Sequence, residues 1–459
     1  MTISTRPETG PGTGPTRRPG RLPLRSTMAV GSLTVVNRLS RFLGRGSGTV
    51  AGGRVGLAVD PHLLAVLAAG RRIALVSGTN GKTTTTRLLT VALGGPDRPA
   101  VASNETGANM PAGHVAALVG APTAPVCVLE VDEGYLGRVI QEARPRVVVL
   151  LNLSRDQLDR IAEVRMLVDR WRSALAGLPS DGAGGAPTVV VANADDPMVA
   201  WAATAAPAVV WVGAGQVWRN DAVGCPACGS RIDFGDRGGW ACERCTFRRP
   251  ERHAWLEGAA LVMADGTRHL VDIALPGQFN RANAAMAAMA APVMGSVDGP
   301  EGGRARVTTA AALERAASVD QVAGRFASTV YRGHRVRLLL AKNPAGWAAI
   351  FDLVDETSPS ETPLVLAINA RIADGLDPSW LWDVPFDRLA ARTVVVTGDR
   401  RRDLAVRLRY ADMACTVVDD PVAAIDTAIA SAAGPEDGTR PMIDFLGNYT
   451  AFAELRGRL

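Results

Sequence analysis

Two lysines stand out because they are the only ones in this chain of 459 residues. Lys82 lies in the string 77–84 and Lys342 in the string 341–346. The rest of the 50 lysines and arginines are all arginine. A lysine ammonium is a compact charge on a flexible stem, which the planar guanidinium of arginine does not replace where it must touch a phosphate. The two lysines therefore mark candidate sites of phosphate chemistry.

The string around Lys82 has the form of a phosphate-binding loop. A strand is predicted over 73–76, a glycine-rich turn over 78–81 and a helix over 83–93. Backbone amides at such a helix start cradle an anion, the lysine reaches the outer phosphates, and the Thr83 hydroxyl binds Mg²⁺. Position 76 is valine, so the string is not a strict Walker A motif. The predicted ATP-binding residues of this loop are Gly78, Thr79, Asn80, Gly81, Lys82, Thr83 and Thr84.

A carboxylate at the end of a neighbouring strand could hold the magnesium. Glu130 ends the apolar run 126–131 and is the predicted ligand, together with Thr83. Asp132 and Glu133 compete for the same role, and an ordinary loop acid is the alternative. Lys82 and Glu130 are both predicted to take part in catalysis.

Nine short apolar runs alternate with longer segments of helical character from about residue 71 onwards. Continuous apolar runs of this length fit strands that are buried on both faces of a parallel sheet. Polar residues follow several of them, as at ligand sites of open α/β sheets. The chain is thus predicted to have an α/β fold. The predicted strands span 73–76, 126–131, 147–151, 188–191, 209–212, 336–340, 364–368, 393–396 and 443–446.

Changes in composition divide the chain. Residues 1–27 are rich in Thr, Pro, Gly and Arg and are predicted to be a disordered tail. The composition changes again around 324–332, which predicts a central ATP-binding domain over 28–325 and a C-terminal α/β domain of Rossmann-like form over 326–459. The segment 218–256 is rich in Cys, Gly and Arg and is predicted to be an insert in the central domain.

The insert contains four cysteines in two C-x₂-C pairs, separated by 13 residues. Four thiolates at this spacing fit a structural Zn²⁺ in a zinc ribbon, with no open position for catalysis. Disulfide pairing is the alternative. Cys127 and Cys415 lie in apolar contexts and are predicted to be buried, inert thiols. The predicted zinc ligands are Cys225, Cys228, Cys242 and Cys245.

Charge and hydropathy exclude several classes of protein. The net charge is only +5, aromatic residues make up 5% of the chain, and no basic run is interleaved with aromatics, which argues against nucleic-acid binding. The sequence contains no run of about 18 apolar residues, so no membrane span is predicted. The apolar stretch 28–36 is broken by Gly31 and followed by Arg38 and Arg41, so a cleaved export signal is not expected.

These motifs together resemble the Mur ligases, ATP-dependent enzymes of peptidoglycan assembly. The resemblance implies a Mur-ligase-type central domain in which Lys82 and Thr83 serve the phosphates, Glu130 serves the magnesium, and Asn280 contacts adenine. The segment 193–196 would lie near the nucleotide or the domain hinge. The matching strings are Gly78 to Thr83, Glu130, Asn152 to Asp159, Asn193 to Asp196, and Gly277 to Asn283.

The departures from the family pattern are informative. Amino-acid-adding Mur ligases typically carry histidine where this chain has Gln157 and Phe279, and they commonly use a carbamoylated central lysine. With only Lys82 and Lys342 present, this chain offers no candidate for that lysine. It therefore resembles a divergent branch of the family.

The cysteine insert and the C-terminal strings resemble the MurT branch, the ligase-like subunits of lipid II isoglutaminyl synthase. This resemblance implies ATP-dependent amidation of the D-glutamate α-carboxylate of lipid II through an acyl phosphate, in the cytoplasm at the inner membrane face. It implies a GatD-type glutamine amidotransferase partner in a heterodimer, because no cysteine here lies in a glutaminase context. The strings are Lys342 to Gly346, Asn369 to Gly375, Asp377 to Asp383, Gly398 to Arg400, and Asn448 to Ala451.

The resemblance also requires a carboxylate that steers ammonia to the acyl carbon. Asp383, between Trp382 and Phe386, is the predicted residue, and Asp374 and Asp377 are its rivals. A solvated turn aspartate is the alternative for each.

Two other functions compete with this interpretation. The first is an amino-acid-adding ligase of the Mur or folylpolyglutamate type, against which the missing central lysine and the cysteine insert argue. The second is a nucleotide-binding scaffold that regulates a partner without catalysis, against which Lys82, Thr83 and Glu130 argue.

Overall fold

A computed structural model describes residues 22–42, 49–94, 101–104, 107–155, 164–179, 187–216, 218–235, 239–298, 304–320, 326–432 and 441–459. Three helices come first: α1 Leu24–Phe42, α2 Thr49–Val59 and α3 Leu63–Ala68. The predicted tail of 1–27 is wrong for its last residues, because α1 begins at Leu24 and its buried Ser26 donates a hydrogen bond to Asp60 Oδ2 at 2.6 Å. Residues 1–21 lie outside the described part.

A nine-stranded sheet forms the body of the region that follows. Its strands run in the order β11-β10-β9-β6-β5-β4-β1-β3-β2. The strands from β2 across to β9 are parallel, and β10 and β11 continue the sheet antiparallel. The strands are β1 Arg72–Ser77, β2 Val101–Ser103, β3 Val126–Glu130, β4 Val147–Leu150, β5 Val189–Asn193, β6 Val209–Gly213, β9 Ala254–Glu257, β10 Ala260–Met263 and β11 Arg268–Leu270.

Helices cover both faces of this sheet. Ile73 and Leu75 of β1 pack into one core, and Ala74 and Val76 pack into the other. This alternation explains why β1 is a continuous apolar run, since both of its faces are buried. The helices are α4 Lys82–Leu93, α5 Pro111–Gly120, α6 Leu136–Ala143, α7 Val164–Ala176, α8 Pro197–Ala203, α9 Gln278–Ala290 and α10 Thr309–Ala316.

The cysteine-rich segment forms a small hairpin of β7 Ile232–Phe234 and β8 Trp240–Cys242 beside the large sheet. The predicted insert of 218–256 ends too late, because residues 254–256 already belong to β9, which pairs in parallel with β6. A second small hairpin joins β12 Ser296–Asp298 to β13 Arg304–Arg306.

A six-stranded sheet organises the C-terminal part, in the order β14-β15-β19-β16-β17-β18. β14 is antiparallel to β15, and the remaining pairs are parallel. Apolar clusters lie on both faces of this sheet. The strands are β14 Phe326–Tyr331, β15 His334–Leu340, β16 Leu364–Ala367, β17 Val394–Thr397, β18 Thr416–Val417 and β19 Ile443–Gly447; the helices are α11 Pro344–Thr357, α12 Arg401–Arg409, α13 Pro421–Ser431 and α14 Tyr449–Arg456.

All nine predicted strands are confirmed, with ends that shift by one or two residues. The strands not predicted are short or lie in the hairpins and at the sheet edges, where few residues are buried. Among the described residues, no helix is both long and apolar enough to pass through a membrane.

Candidate active site

The phosphate-binding loop joins β1 to α4, as predicted. Gly81 precedes the helix in a left-handed conformation with φ 86°, and a Cβ there would lie 2.4 Å from Asn283 Oδ1. Glycine alone fits both conditions. The Thr79 hydroxyl donates to Ser154 O and accepts from Ser154 N, each at 3.0 Å, and so fixes the turn. The start of α4 is thereby held in a form that suits phosphate binding.

Lys82 is buried at the start of α4 among oxygen acceptors. Its Nζ donates to Gly78 O at 2.6 Å and to Thr79 O at 3.2 Å, and it forms an ion pair with Glu133 Oε2 at 3.2 Å. Glu133 is also buried. Glu133, which the sequence offers as an alternative magnesium ligand to Glu130, therefore pairs with the lysine. The ammonium lies at the loop where a phosphate would bind.

Glu130 is buried at the end of β3, opposite Val76 in the sheet register. Its Oε1 accepts from Asn109 Nδ2 at 3.4 Å. Its Oε2 is buried and has no hydrogen-bond partner among the described residues. A buried carboxylate oxygen without a partner is costly, and a cation would satisfy it. Glu130 therefore fits a cation ligand, and Thr83, the predicted second ligand, is buried in the first turn of α4.

His114 of α5 is buried and contacts the backbone of Glu130. A carbonyl can only accept, so His114 Nε2 carries the hydrogen and donates to Glu130 O at 2.8 Å. Burial lowers the pKa of His114 from 6.5 to about 4. The imidazole is therefore neutral near pH 7 and adds no positive charge beside Glu130.

A cavity of about 230 Å³ lies between the two sheets, next to the phosphate-binding loop. Asn280, predicted to contact adenine, lines it and donates from Nδ2 to Pro276 O at 2.7 Å. Phe279 also lines the cavity, whereas Gln157 lies outside the described residues. The central wall includes Asn80, Asn152, Ser154 and Trp218, and the C-terminal wall includes Leu339, Gly346 and Ile350.

The segment 193–196 contributes to the same wall of the cavity, and its position near the nucleotide or the hinge stays a prediction. Asn193 and Asp196 line the cavity. Asp196 is the N-cap of α8, accepts from Met198 N at 2.8 Å, and also accepts from Leu153 N at 2.9 Å. Burial raises the pKa of Asp196 from 3.8 to about 6, against the effect of these hydrogen bonds. Its role is to hold two loops of the wall together.

Asparagine side chains connect the phosphate-binding loop to both walls of the cavity by hydrogen bonds. The backbone N of Asn80 donates to Asn152 Oδ1 at 2.9 Å, and Asn152 Nδ2 donates to Asn80 O at 3.0 Å. The Asn80 side chain pairs with that of Asn343 in the C-terminal part. Asn343 was not predicted as a functional residue. Asparagine followed by proline is typical of a helix start, so its capping role could have been predicted from the sequence.

Asp383 ends a short 3₁₀ helix, Ser379–Asp383, and is exposed. Its Oδ2 lies 3.3 Å from Arg155 Nη1, and Arg155 Nε lies 2.6 Å from Asp221 Oδ1. Arg155 directly follows Ser154 of the cavity wall. The ion pair therefore brings Asp383 of the C-terminal part to the central part of the chain near the cavity.

The two rival aspartates have local structural roles. Asp374 is buried, accepts from Thr450 N at 2.9 Å and from Arg371 N at 3.3 Å, and is also bonded to the Thr450 hydroxyl. Asp377 accepts from Ser379 N at 2.9 Å, which is a turn contact. These contacts account for both residues without a role in ammonia transfer.

The four cysteines of the hairpin segment converge as a metal site requires. Their Sγ atoms all lie within 4.8 Å of one another, with 3.7 Å between Cys225 and Cys245 and 3.5 Å between Cys228 and Cys242. Tetrahedral zinc with Zn–S bonds of about 2.3 Å places sulfurs about 3.8 Å apart. The donor set and its spacing therefore fit Zn²⁺.

The hairpin segment packs against the loop at residues 193–196. Trp240 Nε1 donates to Ala194 O at 3.0 Å, and Arg249 Nη1 lies 3.2 Å from Asp195 Oδ1. Phe247 packs against Trp240 in a tilted arrangement, with ring centroids 4.8 Å apart. The cysteine site thus supports a wall of the cavity from outside.

Two family models match this chain: "Mur ligase middle domain" over residues 76–291 and "MurT ligase C-terminal" over residues 340–452. The chain is 27% identical over 457 residues to the lipid II isoglutaminyl synthase (glutamine-hydrolyzing) subunit MurT of Staphylococcus aureus strain COL, which covers 95% of this chain and 98% of that protein. The MurT subunit of Streptococcus pneumoniae strain ATCC BAA-255 / R6 is 28% identical over 396 residues, or 81% of this chain and 83% of that protein. The chain belongs to the MurT branch of the Mur ligase family.

Members of this family use ATP and Mg²⁺, and this chain is an ATP-dependent ligase. A pseudomurein peptide ligase type C from Methanothermus fervidus has a similar fold, with a TM-score of 0.59 and 20% identity over 84% of this chain and 79% of that one. The Mur-ligase-type α/β fold with parallel sheets is thereby confirmed.

Proposed function

We propose that this chain amidates the α-carboxylate of the D-glutamate in the stem peptide of lipid II, giving D-isoglutamine. The observation that carries the proposal is the match to the Staphylococcus aureus MurT subunit over 95% of this chain and 98% of that protein. The name of that relative specifies a glutamine-hydrolysing synthase of lipid II. The match extends through the C-terminal part as well as the ATP site, which favours the same reaction here.

The chemistry requires activation of a poor acyl donor. The γ-phosphoryl group of ATP is transferred to a carboxylate oxygen, and ADP leaves. The nitrogen of ammonia attacks the carbon of the acyl phosphate, the C–O bond to phosphate breaks, and the new amide loses a proton. Lys82 and the start of α4 offset the phosphate charge, and Asn280 would contact adenine.

Glu130 and the Thr83 hydroxyl would hold Mg²⁺ at this site. The ion supplies positive charge beside the phosphates when it is bound. The orphaned Oε2 of Glu130 supports this assignment. Neutral His114 supports it as well, because a second positive charge next to Glu130 would weaken cation binding.

Asp383 is proposed to steer ammonia and to accept the proton that the amide loses. Its ion pair with Arg155, at 3.3 Å, supports this proposal, because Arg155 directly follows Ser154 of the cavity wall. Asp383→Asn should lower amide formation and leave ATP binding unchanged. Wild-type amidation in this variant would assign Asp383 to a solvated turn instead.

Ammonia is proposed to come from a GatD-type glutaminase in a heterodimer. Burial raises the pKa of the Cys127 and Cys415 thiols, which opposes the thiolate form that a glutaminase nucleophile needs. Lipid II is membrane-attached, so we place the reaction on the cytoplasmic side at the inner membrane face. No nucleic-acid partner is proposed.

Each part of the chain has a role in this proposal. Residues 28–325 are proposed as the central ATP-binding domain and residues 326–459 as a C-terminal domain of Rossmann-like form. The four cysteines are proposed to hold a structural Zn²⁺ in a zinc ribbon. The cavity between the two sheets supports the division, since both parts line it.

An isotope experiment tests the acyl phosphate. Lipid II with ¹⁸O in the D-glutamate α-carboxylate is incubated with the protein, its glutaminase partner, ATP, Mg²⁺ and glutamine. The proposal predicts that one ¹⁸O atom appears in inorganic phosphate for each amide formed. Amide formation without ¹⁸O in phosphate would contradict the acyl phosphate.

The competing functions give different products in the same assay. An amino-acid-adding ligase would enlarge lipid II or a folate by a whole residue when free amino acids are supplied. A non-catalytic scaffold would bind ATP but form no product with ammonium or with glutamine.

A further inference from the structure

Helix α1 carries a stripe of large apolar side chains that face solvent. They are spaced four, seven, four and three residues apart, which places them on one side of a helix. Exposed apolar stripes of this kind mark an interaction surface rather than a core. The apolar stripe consists of Leu24, Met28, Val35, Leu39 and Phe42, which are between 54% and 87% exposed.

The opposite side of α1 packs against the body of the protein. Ser26, Ala29 and Leu33 are buried there, and the helix contacts α2 and α3. Ala29 and Leu33 belong to the same core as β1. The helix is therefore anchored by one side, and the apolar stripe points away from the core.

Positive charge surrounds the apolar stripe. Arg25, Arg38 and Arg41 are exposed on α1. No acidic residue occurs between Glu8 and Asp60, whereas eight arginines do. A basic helix with a separate apolar side is typical of segments that lie along a membrane surface. Anionic lipid headgroups complement the arginines, and the acyl region takes the apolar side chains.

We propose that α1 docks the protein on an anionic lipid surface, with the apolar stripe in the headgroup boundary and the helix axis along the membrane plane. The helix is not apolar enough to cross the membrane, because polar and basic side chains are spread along it. A protein partner would not require so long a stretch without acids, since protein interfaces commonly pair charges of both signs. The proposal rests on α1 alone and stands independently of the amidation reaction.

Vesicle sedimentation of the full chain tests the proposal, with no lipid II, ATP or partner present. Vesicles of phosphatidylcholine are compared with vesicles of phosphatidylcholine and phosphatidylglycerol in equal parts. The wild type should sediment with the anionic vesicles and dissociate as salt increases. Leu24→Asp with Phe42→Asp should weaken this binding at least about tenfold.

A charge-matched control is Val330→Asp with Val406→Asp, because both valines are exposed in the C-terminal part. This control should bind anionic vesicles nearly as the wild type does. Circular dichroism checks that all variants fold. Equal binding by the α1 variant and the control, or no vesicle binding by the wild type, would overturn the proposal. Loss of a dimer or of the glutaminase partner in the α1 variant, with vesicle binding unchanged, would overturn it in favour of a protein interface.

Discussion

Asn80 of the phosphate-binding loop and Asn343 at the start of α11 exchange two side-chain hydrogen bonds. Asn80 Nδ2 donates to Asn343 Oδ1 at 3.2 Å, and Asn343 Nδ2 donates to Asn80 Oδ1 at 3.3 Å. Asn343 Oδ1 also accepts from Gly346 N at 2.8 Å and so caps α11. One side chain therefore links the loop that would bind phosphate to the first helix of the C-terminal part. The arrangement of the two parts and the shape of the loop are coupled.

Asn343→Ala should weaken both the fold and the nucleotide site. Loss of the cap and of the buried amide contacts should lower the free energy of unfolding by about 2 kcal/mol. ATP affinity should fall about fivefold to tenfold, because the loop loses its contact with α11. Chemical unfolding and calorimetric titration with ATP measure the two effects.

The matched control is Asp420→Ala, which removes the N-cap of α13 far from the loop, where Asp420 accepts from Val422 N and Ala423 N. It should lower stability by about 1 kcal/mol and leave ATP affinity unchanged. Equal losses of ATP affinity in the two variants would show that Asn343 acts only through general stability.

Glu130→Gln should raise the Mg²⁺ concentration needed for half-maximal ligase activity by at least about tenfold. The reason is that the amide removes the orphaned carboxylate oxygen but can keep the contact with Asn109. Glu142→Gln on α6 is the control, since Glu142 also has a buried oxygen without a hydrogen-bond partner among the described residues but pairs with Arg138 through its Oε1. An unchanged Mg²⁺ requirement in Glu130→Gln would remove this residue from the cation site.

Cys228→Ser should abolish stoichiometric zinc and loosen the hairpin segment. Three thiolates hold Zn²⁺ less tightly than four, and Trp240 depends on this segment for its bond to Ala194 O. Metal analysis and tryptophan fluorescence measure both effects. Cys415→Ser, which changes a cysteine outside the cluster, should retain a full equivalent of zinc. Absence of zinc from the wild type purified without chelator would contradict the zinc assignment.

His114→Gln should change how stability depends on pH. The folded protein protonates His114 only below about pH 4, whereas the unfolded chain does so below 6.5. Between these values the unfolded chain binds more protons, so His114 makes the wild type lose stability as the pH falls. The variant lacks this loss and should gain up to about 3 kcal/mol relative to the wild type between pH 6.5 and 4.

The wild type and His114→Gln must be compared at each pH, because Asp196 changes stability with pH in the opposite direction to His114. Its pKa is raised from 3.8 to about 6 in the folded protein, so its contribution to stability increases as the pH falls through this window. Both proteins contain Asp196, and its effect cancels in the difference of their unfolding free energies. A difference that stays constant with pH would contradict the buried, neutral state of His114.

The local patterns of the sequence were sufficient to predict the sheets and the phosphate-binding loop. Nine apolar runs became strands because both faces of a parallel strand are buried, which leaves a continuous apolar signal. Glu130 and the four cysteines were also predicted from local patterns, and their roles as metal ligands stay predictions. The start of α1 was missed because its packing partner Asp60 is 34 residues from Ser26 along the chain.

The contacts between the two walls of the cavity could not be predicted from local patterns. Asn80 and Asn343 are 263 residues apart, and no periodic pattern links them. The pairing of Lys82 with Glu133 likewise depends on the turn after β3, which decides the direction of each acid. The end of the cysteine-rich insert was misplaced because β9 is short and takes its place in the sheet only by pairing with β6 and β10.

Mass spectrometry of lipid II after incubation with this protein, ATP, Mg²⁺ and ammonium is the decisive test of the proposed amidation. The D-glutamate residue should change in mass by the replacement of one hydroxyl with one amino group. This change should be lost in Lys82→Ala and strongly reduced in Asp383→Asn. Unchanged lipid II with active wild-type protein, or a product enlarged by a whole amino acid, would contradict the proposed amidation.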